Sequence, residues 1–213
     1  SKWYIGTLME MQEENNQNTG KDDGMALFGF EENHSCQEMI QGLRRIGAAS
    51  MEWGRDLEAV FAQADVQTAF DNVTIKLAMT ALEKENCNIC VQEAICREMI
   101  GNQATVDFQG IRSETQEGRA THNFDKSMRT GGKEAPRCWN SVVKLVWGNL
   151  FRLWHHRGKG VKIDSAQHTP IQWVNHCIWA DNCFFIAKDK QQLQEMIEEA
   201  TIELHKWLSL IHI

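Results

Sequence analysis

The chain has 213 residues, 42% of them hydrophobic and 24% charged, and a net charge of −7. That length and mix suit a single globular domain with a buried core, and no apolar run approaches the ~18 residues of a membrane span. Seven cysteines without a signal-peptide pattern favour free thiols in a reducing compartment over a disulfide framework, so the expected location is nuclear or cytoplasmic rather than secreted.

In chain order, Trp3, Tyr4, Leu8 and Met9 suggest a short amphipathic helix, and the start reads as cut. Residues 10–24 are polar and read as an exposed loop. Phe28-Gly29-Phe30 leads to a helix with Met39, Ile40, Leu43 and Ile46 on one face. Ser35 is its expected N-cap, with Glu38 three residues on as the capping-box partner.

Residues 60–71 read as a strand ending on Asp65, a tight turn, then Phe70 and Asp71. A carboxylate at the open end of a strand can hold a hard cation such as Mg²⁺, or can serve as a cap or turn residue. Asp71 is expected at the start of the next helix, where an acid is favourable. That helix carries Val73, Ile75, Leu77, Ala78 and Leu82. After a polar break, Val91, Ala94, Ile95 and Met99 form a second apolar stripe. Cys87 and Cys90 form a lone C-x-x-C with no second pair at zinc-site spacing, so plain thiols are the default. Residues 105–111 and 119–124 alternate like two strands of a hairpin spanning about 104–125.

Arg129-Thr130-Gly131-Gly132-Lys133-Glu134-Ala135-Pro136-Arg137-Cys138-Trp139-Asn140 runs into an apolar helix face of Val142, Val143, Val146, Leu150, Leu153 and Trp154, closed by Gly158 and Gly160. Pro136 suits the first turn of that helix. Residues 171–179 and 183–186 read as a hairpin with Ala180-Asp181-Asn182 at its turn. Leu193, Met196, Ile197, Ala200, Leu204, Trp207 and Leu208 then fit a last helix. The window 126–162 holds nine Lys or Arg and one acid, Glu134; it carries +8 and leaves −15 to the rest of the chain. Such a window is a solvated face by default, or a surface for nucleic-acid phosphates.

Three of these stretches, in this order, resemble the motifs of reverse transcriptases, most closely those of non-LTR retrotransposons and group II intron-type enzymes. Asp65, Ala69, Phe70 and Asp71 match D-x-x-x-A-F-D. Arg129, Gly131, Pro136 and Asn140 match R-Q-G-x-x-x-S-P-x-x-F-N, with Thr130, Ala135 and Trp139 in place of Gln, Ser and Phe. Trp179, Ala180, Asp181 and Asn182 match an aromatic followed by A-D-D, with Asn182 for the second Asp. Gly29-Phe30-Glu31 and Ser35 resemble a fingers segment G-F-R-x-G-x-S, with Glu31 for Arg and Asn33 for Gly. The resemblance covers roughly 28–208.

It implies an α+β fold: the palm of a right-hand polymerase, an antiparallel sheet backed by helices, with partial fingers in 1–58, mainly palm in 59–213, and no thumb. It implies RNA-directed DNA polymerisation using Mg²⁺ or Mn²⁺, with Asp65 and Asp181 as catalytic carboxylates and the Val66 carbonyl and Asn182 as further metal ligands. Phe70, Arg129, Gly131 and Asn140 would line the nucleotide site, and Lys133, Arg137, Lys144 and Arg152 would meet nucleic acid. The partners would be an RNA template, a DNA primer, dNTP and the missing domains of a larger polyprotein, with no membrane. Asn182 lowers the charge available to a cation. Two other readings stay open: a non-catalytic nucleic-acid-binding remnant of this fold, and an interaction protein with idle motifs.

Overall fold

The computed structural model describes residues 25–31, 34–52, 58–66, 69–100, 128, 132, 134–163 and 172–209, together with six two-residue strands between 103 and 123. The chain divides into two compact units. One comprises the described residues of Phe70–Cys138, the other those of Gly20–Ala69 and Trp139–Ile213.

The second of these units is built on a three-stranded antiparallel sheet. Strand β1 (Val60–Asp65) and strand β10 (His176–Trp179) flank the central strand β11 (Asn182–Ala187). The apolar run of β11 explains its position: Cys183, Phe185, Ile186 and Ala187 are buried. Strand β1 alternates between half-buried and exposed residues, as an edge strand should. The other edge is covered in part by a parallel bridge from Leu27 to Ile178. Strand β9 (Gln172–Val174) pairs with β8 (Val161–Ile163) rather than with β11. The chain changes sheets at buried Asn175, so the expected strand over 171–179 is two strands.

Helix α1 (Cys36–Glu52) closes one side of the core. Its capping box forms as expected: Ser35 N–H donates to Glu38 Oε2 at 2.9 Å and Glu38 N–H to Ser35 Oγ at 3.2 Å. Met39 and Ile46 are buried against Val161, Cys177 and Ile186, while Ile40 is exposed. Helix α4 (Ala135–His156) begins in one unit and continues in the other. Within the sheet-bearing unit it buries Val142, Val143, Val146, Trp147, Leu150, Phe151 and Trp154. Leu153, expected on that face, is 40% exposed; Trp147 and Phe151 are buried instead. The helix ends in a Schellman motif: Lys159 N–H donates to Trp154 O and Gly158 N–H to His155 O, with Gly158 at φ +63°. Helix α5 (Lys190–Ser209) starts at an Asp189 cap and buries Leu193, Met196 and Ala200. Trp147 and Trp154 donate their indole N–H groups to Ala200 O and Glu199 Oε2, fastening α4 to α5.

The other unit holds helices α2 (Ile75–Lys84) and α3 (Ile89–Met99). The expected stripe on α3, Val91, Ala94, Ile95 and Met99, is buried. Thr74 caps α2 by accepting from Leu77 N–H at 3.2 Å. Asp71 therefore does not start that helix; it is exposed in a 3-10 turn, Phe70–Asn72, because Thr74 lies at the position from which a side-chain oxygen reaches the first-turn amides. Between 103 and 123, strands β2 (Gln103–Ala104) and β7 (His122–Asn123) pair as the base of the expected hairpin. Inside it the chain forms two local ladders, β3 (Asp107–Phe108) with β4 (Ile111–Arg112) and β5 (Glu114–Thr115) with β6 (Gly118–Arg119), not one long pair.

Candidate active site

In the sheet-bearing unit, β1 and β11 pair with Val60 opposite Ala187 and Asp65 opposite Asn182. Asp65 thus ends its strand at the point where β11 begins. The β10–β11 hairpin turns through Ala180 and Asp181, because Trp179 faces Asn182. The first and third motifs meet directly there: Val66 N–H donates to Asp181 O at 3.0 Å. Asp65 is exposed and Asp181 half-buried, so both carboxylates keep access to solvent. The thiol of Cys183, one residue inside the hairpin, senses both: burial pushes it up to about 12, and the charges of Asp181 and Asp65 push the same way.

Asn182 is tied on both sides. Its Oδ1 accepts from Gln63 Nε2 at 2.9 Å and its Nδ2 donates to Asp181 Oδ1 at 3.3 Å. The amide oxygen expected to face a metal has Gln63 as its partner, and the amide nitrogen supports the Asp181 carboxylate. Among the described residues no group of three or more His, Cys, Asp or Glu side chains is arranged to hold a metal. The donor set is two carboxylates and backbone oxygen, which suits Mg²⁺, an ion that uses one or two protein carboxylates and completes its shell with water and substrate phosphate.

The hairpin turn is backed by the segment before α1 and by the start of α4. Ala180 O accepts the indole N–H of buried Trp139 at 2.7 Å. Gly29 lies so close that a Cβ on it would sit 2.3 Å from Ala180 N, so no larger residue fits. Asn140, expected at the nucleotide, is buried; its Nδ2 donates to Gly29 O at 2.9 Å and to Glu31 Oε1 at 3.2 Å. It braces the strip on which the turn rests. Glu31 in turn pairs with Lys144 at 3.4 Å.

The basic window is less free than its sequence suggests. Lys144 is paired with Glu31; Lys159 is buried between Glu195 and Glu199; Arg157 reaches Glu199 at 3.7 Å. Arg152 is exposed and donates to Asn149. Arg129, Gly131 and Lys133 lie outside the described residues. In the other unit, Phe70 is half-buried and its carbonyl accepts Met128 N–H at 2.9 Å. Arg137 is half-buried in the same unit, where its charge bears on the thiols of Cys87 and Cys138. Cys87 is buried and Cys90 exposed, so the C-x-x-C does not converge. Beside Gly132 the buried Glu134 folds back; a Cβ there would meet its Oε1 at 2.2 Å.

The family model for reverse transcriptase (RNA-dependent DNA polymerase) matches residues 7–211. The chain belongs to the reverse transcriptase family. A search of curated proteins gives no match. Among solved structures, a telomerase from Candida tropicalis in complex with a TWJ fragment of telomeric RNA is similar with a TM-score of 0.56 and 11% identity, over 95% of this chain and 31% of that one. The Candida albicans telomerase in complex with such a fragment gives 0.55 and 9%, over 86% and 30%. The apo telomerase from Candida tropicalis truncated from its C-terminal domain gives 0.51 and 8%, over 96% and 38%. At such identities the likeness is one of fold: α+β, a reverse transcriptase fold. The chain spans about a third of the length of these structures.

The reverse transcriptase motifs exposed Asp65 and Asp181 from sequence. The Trp139 bond to Ala180 and the Gly29 contact were not foreseen. Trp139 replacing Phe was the available signal for the first, and Gly29, the first residue of the fingers-like segment, for the second.

Proposed function

We propose that the chain is the palm and part of the fingers of a retroelement's RNA-directed DNA polymerase, of the non-LTR or group II intron type, with fingers residues in 1–58 and mainly palm in 59–213. It extends a DNA primer on an RNA template from dNTP, in the nucleus or cytoplasm, together with domains that this chain does not contain. The observation that carries this reading is the Val66–Asp181 backbone bond, which puts the ends of the first and third motifs side by side. Structural relatives were solved with RNA, which supports an RNA partner here.

Asp65 and Asp181, with the Val66 carbonyl, would hold divalent Mg²⁺ or Mn²⁺, which when bound lowers the pKa of the primer 3′-hydroxyl and neutralises the leaving pyrophosphate. The chain's own residues do the positioning. The end of β1 and the β10–β11 turn set Asp65 and Asp181 at one end of the sheet. Asn182 restrains Asp181 through its amide. Trp139, Asn140 and Gly29 hold the turn. Phe70, Arg129 and Gly131 are assigned to the nucleotide, and Lys133, Arg137 and Arg152 to nucleic-acid phosphates; Lys144 is held by Glu31 and contributes less. The full-length protein should extend a primer on an RNA template with Mg²⁺ or Mn²⁺, and Asp65→Asn or Asp181→Asn should abolish extension. Extension unchanged by both substitutions overturns the assignment.

A second reading, a nucleic-acid-binding remnant without catalysis, is favoured by one observation: Asn182 removes a charge and its amide oxygen is engaged by Gln63. Salt-dependent RNA binding with no extension in either metal would select it.

A further inference from the structure

We propose that Trp139 is a positioning residue for Asp181, acting through the peptide plane that joins Ala180 to Asp181. The proposal rests on the reading of Asp181 as a metal-holding carboxylate and adds the device that aims it.

Ala180 is the first of two residues in the hairpin loop and has φ 54°, while Asp181 is not among the positive-φ residues. That pattern is a II′ turn, whose first position favours glycine. A methyl group there costs on the order of 1 kcal/mol. The competing I′ turn keeps φ positive at the first residue and differs by a flip of the central peptide, which carries Ala180 O at one end and Asp181 N at the other. Because that plane is rigid, whichever way Ala180 O points sets the direction in which Asp181 leaves the turn.

Trp139 fixes the choice. Its indole Nε1–H donates to Ala180 O at 2.7 Å. The ring is 4% exposed, so after a flip water could not easily satisfy the indole, and a buried donor would be left bare. Gly29 packs against the preceding peptide, Trp179–Ala180, a would-be Cβ on it lying 2.3 Å from Ala180 N, and so holds the residue from which the plane hangs. Gly29 is itself held by Asn140, the next residue on the same helix turn as Trp139. Phe, the residue of the motif at this position, would fill the space without a donor. This chain thus has an added hydrogen bond on its catalytic turn.

Amide hydrogen exchange on wild-type protein and Trp139→Phe tests this. The substitution keeps a buried aromatic and removes only the donor. Exchange at Asp181, Asn182 and Val66 should quicken about tenfold, as expected for one lost hydrogen bond, while Phe185 and Ile186 in mid-strand stay protected. In wild type the Trp139 indole proton should exchange as slowly as those mid-strand amides, a readout that needs no variant. Equal acceleration along all three strands, no acceleration, or a fast wild-type indole proton would overturn the proposal. In primer extension, Trp139→Phe should raise the Mg²⁺ concentration needed severalfold without changing KM for primer. The exchange data read the turn alone. Quickened turn exchange in Trp139→Phe, with no primer extension by the wild-type protein, would sink the proposed function and leave the positioning role standing.

Discussion

Val66 and Asp181, 115 residues apart in sequence, share one backbone hydrogen bond of 3.0 Å. It closes the edge of the sheet where β1 ends and the hairpin turns, and it makes two motifs one place.

Asn182→Asp should act in two directions. It replaces the amide donor to Asp181 by a second carboxylate, so in metal-free solution the variant should lose about 1 kcal/mol through like-charge repulsion. With Mg²⁺ present, the added charge should lower the metal concentration needed for half-maximal extension. Urea melts with and without Mg²⁺ measure the first effect and Mg²⁺ titrations of primer extension the second; a variant destabilised equally in both melts would place the cation elsewhere.

Gly29→Ala should displace the hairpin turn, since the new methyl would strike the Ala180 backbone rather than a movable side chain. A loss of about 1–3 kcal/mol follows from such overpacking, together with loss of extension. Wild-type stability in this variant would show that the close approach is not maintained in solution.

His176 should make the protein acid-sensitive. It is buried, stacked on Phe151 at 3.8 Å, accepts Ala26 N–H at Nε2 and faces Asn175 Oδ1 at Nδ1. Burial lowers its pKa from 6.5 to about 3. The unfolded chain therefore binds a proton that the folded one refuses between those values. Its stabilising contribution is intact above about pH 6.5 and is lost as pH falls toward 3, with a slope of about 1.4 kcal/mol per pH unit from this group. His176→Gln, which retains an acceptor, should flatten that slope in urea titrations run from pH 7 to 4; an unchanged slope would assign the acid sensitivity to other groups.

Glu199 adds to the same limb by a different route. Burial raises its pKa, but hydrogen bonds from Trp154 and Lys159 and the charges of Lys159 and Arg157 outweigh it and hold the carboxyl below 4.5. Its contribution is present above 4.5 and fades as pH falls through the lowered value. Lys159→Met would strip the cation from two partly exposed carboxylates and should cost about 1 kcal/mol at pH 7. A cost near zero would mean that Glu195 and Glu199 reach solvent when Lys159 is gone.

The capping box at Ser35 and the buried stripe on α3 were legible because each depends on short-range spacing, and the strand end at Asp65 and the hairpin turn at Asp181 lie where the sequence put them. The sheet change at Asn175 was not, since one apolar run serves two ladders equally well in sequence. Nor was the neutralisation of Lys144, Arg157 and Lys159, because their acidic partners are 36–113 residues away and pairing at such distance leaves no local pattern. Asp71 looked like a helix-start acid; Thr74 holds that place. Asn140 was expected to line the nucleotide site; that it braces Gly29 beneath the turn, only the fold reveals.

The most direct test of the central claim is anomalous diffraction from crystals of the protein soaked in MnCl₂. The account predicts Mn²⁺ bound by the Asp65 and Asp181 carboxylates together, with the peak lost in Asp181→Asn. Manganese bound elsewhere only, or a peak that survives the loss of both carboxylates, would contradict it.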